Sequence, residues 1–373
     1  MTTIFCILAT KLITMKYRKL RQLAMLFLIA SAAVPETMAC TGITLRSKDG
    51  GVVLARTIEW GGSDLESRYV IVPRGYEQHA MLPSGEKGMA FKAKYGYAGF
   101  SVEMEAFVAE GLNEAGLSAG LFYFPGYGSY ADMPSDGRKC VPDLQLVSYI
   151  LSTCSSIEDV RKAVGEITVI ALDPRASTVH WRFADNTGEQ VVLEIIGGRP
   201  AFYENRLGVL TNSPSFDWQM TNLNNYVNLH SGSAQPAGTE GMQLRPFGAG
   251  SGFLGLPGDV TPPSRFVRAA FYQTSAPVAL SADDAVLQCF QILNNFDIPI
   301  GTEFAQGEKV TGIPSATQWT SASDVKGLKI YYRTMYNSAI RCIDLNGVDF
   351  STLSYTSAPL DVEKRQPVIN IEF

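Results

Sequence analysis

The chain has 373 residues, of which 46% are hydrophobic and 18% charged, and a net charge of −5. This is the composition of a folded globular protein without a low-complexity run. An acidic balance with no basic cluster outside the N-terminal segment speaks against a nucleic-acid partner. The three histidines (His79, His180, His230) are scattered and the cysteines form no C-x-x-C pair, so no metal site is expected.

In chain order, the first feature is a leader. Lys16, Arg18, Lys19 and Arg21 form a basic patch, Leu23 to Ala33 is apolar, and Thr37-x-Ala39 puts small residues before Cys40. Basic, apolar and small-x-small segments in that order describe a secretory signal peptide, since a membrane span needs about 20 apolar residues. Cleavage after Ala39 removes residues 1–39 and leaves one domain, 40–373, in an exported (periplasmic or secreted) protein with no stable membrane insertion. The leader takes five basic residues and one acid with it, so 26 basic against 35 acidic residues remain, a net charge of −9. Met15, directly before the basic patch, is an alternative start.

Such cleavage would leave Cys40 with both a thiol and a free α-amine. An amine with a pKa of roughly 7.7–8.0 is a base suited to taking the thiol's proton near neutral pH. Two other readings stand beside this one: the lipidated cysteine of an anchored binding protein, and a buried or disulfide-bonded cysteine. After Cys40 come Cys140, Cys154, Cys289 and Cys342, and five cysteines in an oxidising compartment leave one over. All five being reduced is the alternative.

Cys40–Ser47, the turn Lys48-Asp49-Gly50-Gly51 and Val52–Trp60 read as a hairpin with Cys40 on one arm and Arg56 and Glu59 on the other. Tyr69–Pro73 reads as a strand, and Phe107–Phe124 as two more around Gly111–Gly116. Gly126–Lys139 is a long loop suited to a pocket wall. Asp143–Cys154 has helical spacing, and Ser156-Ile157-Glu158-Asp159 starts a helix to Ile167. Thr178–Phe183 and Gln190–Ile196 form a second hairpin. Helices are expected over Pro263–Gln273 and Asp283–Phe296, and strands over Gln318–Ala322, Lys329–Tyr336 and Ile340–Leu345. The order lacks regular βαβ alternation, so the fold class is α+β, with antiparallel sheets and helices layered outside. Gly250-Ser251-Gly252-Phe253-Leu254-Gly255 matches a dinucleotide fingerprint by letter. It has no strand before it, and Pro257-Gly258 follows where a helix should start, so a nucleotide site is not expected.

Attack on an amide needs a thiolate, a base, oxyanion donors and a group that orients the α-amine. Arg56 is placed to lower the thiol pKa, and Glu59 to accept from the ammonium. Without further context both also fit a cross-strand surface pair. Downstream stand Asn212-Ser213-Pro214-Ser215-Phe216-Asp217-Trp218 and Pro257-Gly258-Asp259-Val260-Thr261-Pro262-Pro263-Ser264-Arg265-Phe266. With Cys40-Thr41-Gly42, these blocks resemble the choloylglycine hydrolase family of N-terminal-nucleophile hydrolases, which holds conjugated bile salt hydrolases and penicillin V acylases.

The resemblance implies a four-layer αββα sandwich with Cys40 as nucleophile and Arg56 beside it. It implies Asn212 as a side-chain oxyanion donor, Arg265 in the charge network, no cofactor, and a homotetramer. Two departures stand out. Glu59 occupies a position where the family usually has aspartate. Ala119-Gly120-Leu121 leads into Phe122-Tyr123 where many members have an asparagine, so the backbone N–H of Phe122 is expected in the oxyanion hole and Phe122 and Tyr123 at the pocket edge. The activity implied is deconjugation of glycine or taurine bile salts, with penicillin V or another N-acyl amide as the alternative. An inactive homologue also stays open.

Overall fold

The computed structural model describes residues 39–134, 139–173, 177–304 and 313–373; of 313–315 only the backbone is considered. The expected leader (1–38 of its residues) and part of the Gly126–Lys139 loop lie outside them. Among the described residues no helix is long and apolar enough to cross a membrane.

The expected hairpin forms as β1 (Ala39–Arg46) and β2 (Val52–Gly62), paired from Ala39↔Glu59 to Arg46↔Val52. Gly50, in the turn, adopts φ +86°, the left-handed region that glycine enters without steric cost. Next come β3 (Arg68–Val72), the β4/β5 hairpin (Glu77–Met81, Lys87–Lys92), β6 (Tyr97–Ser101), β7 (Val108–Asn113) and β8 (Ser118–Tyr123). After β9 (Cys140–Pro142) stand α1 (Leu146–Thr153) and α2 (Ile157–Glu166). Ser156 caps α2 by accepting from the Asp159 N–H. The chain continues through β10 (Thr168–Ile170), β11 (Val179–Ala184), β12 (Gln190–Ile196), β13 (Arg199–Glu204), α3 (Phe216–Asn222) and the small β14/β15 hairpin (Ala237–Thr239, Met242–Leu244). It closes with α4 (Pro262–Ser275), α5 (Ala282–Leu293), β16 (Ile313–Asp324), β17 (Lys329–Thr334), β18 (Asn337–Asp344) and β19 (Thr356–Pro359). The glycine-rich Gly250–Gly255 stretch is only a 3-10 turn at Ser251–Phe253.

Two antiparallel sheets carry the architecture. One has five strands in the order β1-β2-β16-β17-β18, the other eight in the order β13-β12-β11-β8-β7-β6-β3-β19. Helices α4 and α5 cover the five-stranded sheet and α1 the eight-stranded one, giving the four-layer αββα sandwich. The inner faces meet in a core where Phe100 packs edge-on against Trp319 and Tyr332, with centroids 5.4 and 5.1 Å apart.

Strand regularity matters for the site. Arg56 and Glu59 could share one face only if β2 were bent, yet its register with β1 is unbroken. The irregularities fall in β16 instead, between Ile313 and Ala316 and between Thr317 and Trp319. With a side-chain period of two, Cys40, Arg56 and Ile58 face the other sheet, while Thr41, Thr57 and Glu59 face α4.

Candidate active site

The first residues of β1 are held from three sides. On its free edge, Gly42 exchanges backbone hydrogen bonds with Leu210 (2.7 and 3.1 Å). That antiparallel register puts Asn212 opposite Cys40, and the Cys40 N–H donates to Asn212 Oδ1 at 2.8 Å. Asn212 Nδ2 donates to the Tyr123 carbonyl at 2.8 Å. Behind it, His180 bridges Glu194 Oε1 (3.1 Å) and the Thr211 carbonyl (3.0 Å), and Glu194 also accepts from the Phe216 N–H at 2.8 Å. This buried brace, not foreseen from the sequence, fixes the Thr211-Asn212 backbone.

From the helix side, Arg265 on α4 is fully buried. It donates to the Cys40 carbonyl, to Thr41 Oγ1 (2.9 Å), to Asn212 Oδ1 (2.7 Å) and to the Val260 carbonyl (2.8 Å). The Pro-Pro start of α4 aims it there. Asp259 clamps that start by accepting from the Thr261 N–H (2.9 Å) and Ser264 Oγ (2.6 Å).

From the sheet side, Arg56 Nη2 lies 2.8 Å from Cys40 Sγ. The same guanidinium donates to the carbonyls of Leu121 and Thr57. Its face lies 4.1 Å from the Phe122 ring centroid. A second donor reaches the sulfur, the backbone N–H of Tyr123. With Ala39 attached, the Cys40 thiol pKa stands above its ordinary value: burial pushes it up most, Arg56 pulls it down, Glu59 raises it, and the Tyr123 amide and Arg265 lower it.

Two expectations need correction here. The amide at the thiol belongs to Tyr123, not Phe122. Phe122 pairs with His180 in the β8–β11 ladder, in the same set as Phe124, whose N–H donates to Thr178 O. Alternate residues turn their amides to opposite edges, so Tyr123 is the one directed at β1. Nor is the Phe122 side chain a pocket wall. It is fully buried against Arg56, while Tyr123 is 8% exposed.

Glu59, on the α4 face, is fully buried with its pKa pushed up to about 8. Burial is the main cause, opposed by Arg265 and a Thr57 hydrogen bond. Its Oε1 accepts weakly from Thr317 Oγ1 at 3.4 Å, and among the described residues its Oε2 has no hydrogen-bond partner. A buried carboxylate oxygen with an empty acceptor position beside the Cys40–Ala39 backbone is suited to a cation. Cys40, Arg56, Glu59, Asn212 and Arg265 thus converge, and Glu110 and Arg182 join them between the sheets.

The model of the family described as linear amide C–N hydrolases, choloylglycine hydrolase family, matches residues 40–358. A bile salt hydrolase/transferase of Clostridium perfringens is 32% identical over 314 residues, 82% of this chain and 92% of that protein. The crystal structure of a mutant conjugated bile acid hydrolase from the same organism superposes with a TM-score of 0.78 at 28% identity, covering 89% of this chain and 100% of that one. A penicillin V acylase of Pectobacterium atrosepticum is 24% identical over 344 residues, 85% of this chain and 83% of that protein.

Proposed function

The chain belongs to the choloylglycine hydrolase family of linear amide C–N hydrolases, and within it we propose an exported amidase that releases glycine or taurine from conjugated bile salts. Cys40 is the nucleophile, made N-terminal by cleavage after Ala39. The observation that carries the assignment is the pair of donors on its sulfur, the Arg56 guanidinium at 2.8 Å and the Tyr123 N–H. Cationic and amide donors favour thiolate over thiol.

While Ala39 is attached, the Cys40 nitrogen is an amide without basicity. Once freed, it takes the thiol proton, and the ammonium so formed lies near Asn212 Oδ1 and the unfilled Glu59 Oε2. The sulfur attacks the substrate carbonyl. The tetrahedral oxyanion is stabilised by the Tyr123 N–H and by the second N–H of the Asn212 amide, whose first is held by the Tyr123 carbonyl. The ammonium protonates the leaving nitrogen as the C–N bond breaks. Water then cleaves the thioester, giving up a proton to the α-amine, and the acid leaves.

A second reading is hydrolysis of penicillin V or a related N-acyl amide, favoured by the match to a penicillin V acylase along most of the chain. Parallel assays decide: the chain beginning at Cys40 is given glycocholate, taurocholate and penicillin V, and released amine is quantified. Faster release from either bile conjugate supports the first reading, faster release of 6-aminopenicillanic acid the second. Release from none of the three overturns both.

A further inference from the structure

Arg56 does not stand alone between the sheets. Glu110, on β7, places Oε2 3.5 Å from Arg56 Nη1 and Oε1 3.9 Å from Arg182 Nη2, which comes from β11. All three side chains are at most 2% exposed. Arg182 also donates to the Ile43 carbonyl at 3.1 Å and the Ala55 carbonyl at 3.5 Å, tying it to both strands of the nucleophile hairpin. The Phe122 ring serves both guanidiniums, with Arg56 4.1 Å and Arg182 5.4 Å from its centroid. Two glycines make the room. A Cβ on Gly120 would collide with the Glu110 carboxylate, and one on Gly42 would lie 2.7 Å from Arg182 Nη1.

Charge balance gives the cluster its meaning. Arg56 and Glu110 by themselves would be a neutral pair, and the carboxylate would cancel most of the field that the guanidinium exerts on the sulfur. A second cation on the far oxygen of that carboxylate leaves the trio with one net positive charge. The groups support each other's ionisation: burial raises the Glu110 pKa while Arg182 and Arg56 pull it down. Burial also lowers the Arg182 pKa to about 10, against the pull of Glu110.

We propose that Glu110 and Arg182 are positioning residues of the thiol site: Glu110 holds the Arg56 guanidinium over Cys40, and Arg182 compensates Glu110 so that Arg56 remains a net cation for the thiolate. Neither residue touches the substrate. The proposal rests on Cys40 being the nucleophile. Other charged or titratable groups face the same atoms. Glu59 and Arg265 act on Cys40 from the α4 face, Glu303 acts on Glu59 and Arg265, and Cys289 of α5 acts on Arg182. None of them changes in the variants below.

The test is the pH dependence of iodoacetamide alkylation at Cys40, read by mass spectrometry of the peptide that carries it, so that the exposed Cys342 does not contribute. Four proteins beginning at Cys40 are compared: wild type, Arg182→Met, Glu110→Gln and the double variant. Arg182→Met raises the Cys40 pKa by about one unit, slowing alkylation by about tenfold at pH values below the pKa of both proteins. Glu110→Gln lowers the pKa, and the double variant, with the trio's net charge restored, returns close to wild type. A purely structural role would lower the melting temperature of all three variants without this ordered change of sign. An unchanged pKa in Arg182→Met overturns the proposal. If that variant does not fold, an unchanged or raised pKa in Glu110→Gln overturns it. Amide hydrolysis that survives full alkylation of Cys40 overturns the nucleophile assignment, and with it the proposal.

Discussion

Two buried thiols lie against the same strand and differ in almost everything else. Cys40 opens β1. Cys289, on α5, packs over its other end, where the backbone of Leu45 hydrogen-bonds the sulfur. Both are nearly or wholly excluded from water, at 4% and 0% exposure, and burial raises the pKa of both. Around Cys289 the neighbours are mainly hydrocarbon, with Arg182 acting only through space. Around Cys40 a guanidinium and a peptide N–H point at the sulfur, and Asn212 and Arg265 hold its backbone. Burial favours the neutral thiol at both places, and at Cys40 the converging donors oppose it.

The contrast is broken most severely by Cys40→Ser. A hydroxyl is far less acidic than a thiol, so the same α-amine cannot activate it comparably, and kcat/KM should fall by about a thousandfold or more. The melting temperature should move by less than about 2 °C, because the exchange is nearly isosteric. Retained turnover within about tenfold of wild type would contradict a thiolate mechanism.

A smaller effect is expected from Glu59, whose pKa rises from the ordinary 4.5 to about 8 while the chain before Cys40 is attached. Between those values the folded chain keeps a proton that the unfolded chain has lost. Stability therefore falls as pH rises through that window, at up to about 1.4 kcal/mol per pH unit. Denaturant titrations of the uncleaved chain at pH 5 and pH 8 check this, and Glu59→Gln should flatten the slope. In the chain beginning at Cys40 the slope should also shrink, because the new ammonium stabilises the carboxylate. An equal slope in all three proteins would remove Glu59 from the α-amine site.

The smallest change belongs to the comparison thiol. Cys289→Ala should leave kcat/KM within about twofold of wild type and cost about 1 kcal/mol of stability, the effect of a small cavity. Steady-state kinetics and urea unfolding measure the two. A loss of activity as large as that of Cys40→Ser would erase the distinction between the sites.

What the sequence made legible follows from interaction range. The β1/β2 hairpin and the Ser156 start of α2 are written in contiguous residues, and each forms as read. The motif residues Asn212 and Arg265 stand in blocks distinctive enough to be recognised. Glu110 and Arg182 carry no such mark. They lie on β7 and β11 of one sheet and meet across Gly120 of β8, a strand order that the sequence does not spell out, and the glycines that admit them look like ordinary strand glycines. The Phe122–Tyr123 assignment went one residue astray because sequence does not say which edge of β8 pairs with β11, and that edge decides which amide faces the thiol. Polar strands were also missed, such as the β4/β5 hairpin and the half-exposed β13, where alternation is weak.

The most direct measurement compares two purified chains that differ by one residue, one beginning at Cys40 and one beginning at Ala39, on the better bile salt conjugate. If the α-amine of Cys40 is the base, the chain beginning at Cys40 turns over, and the chain with Ala39 in place is slower by about a thousandfold or more, with the same fold by circular dichroism. Equal kcat/KM in the two chains would contradict the role of the freed α-amine, and with it the central claim that nucleophile and base are one residue.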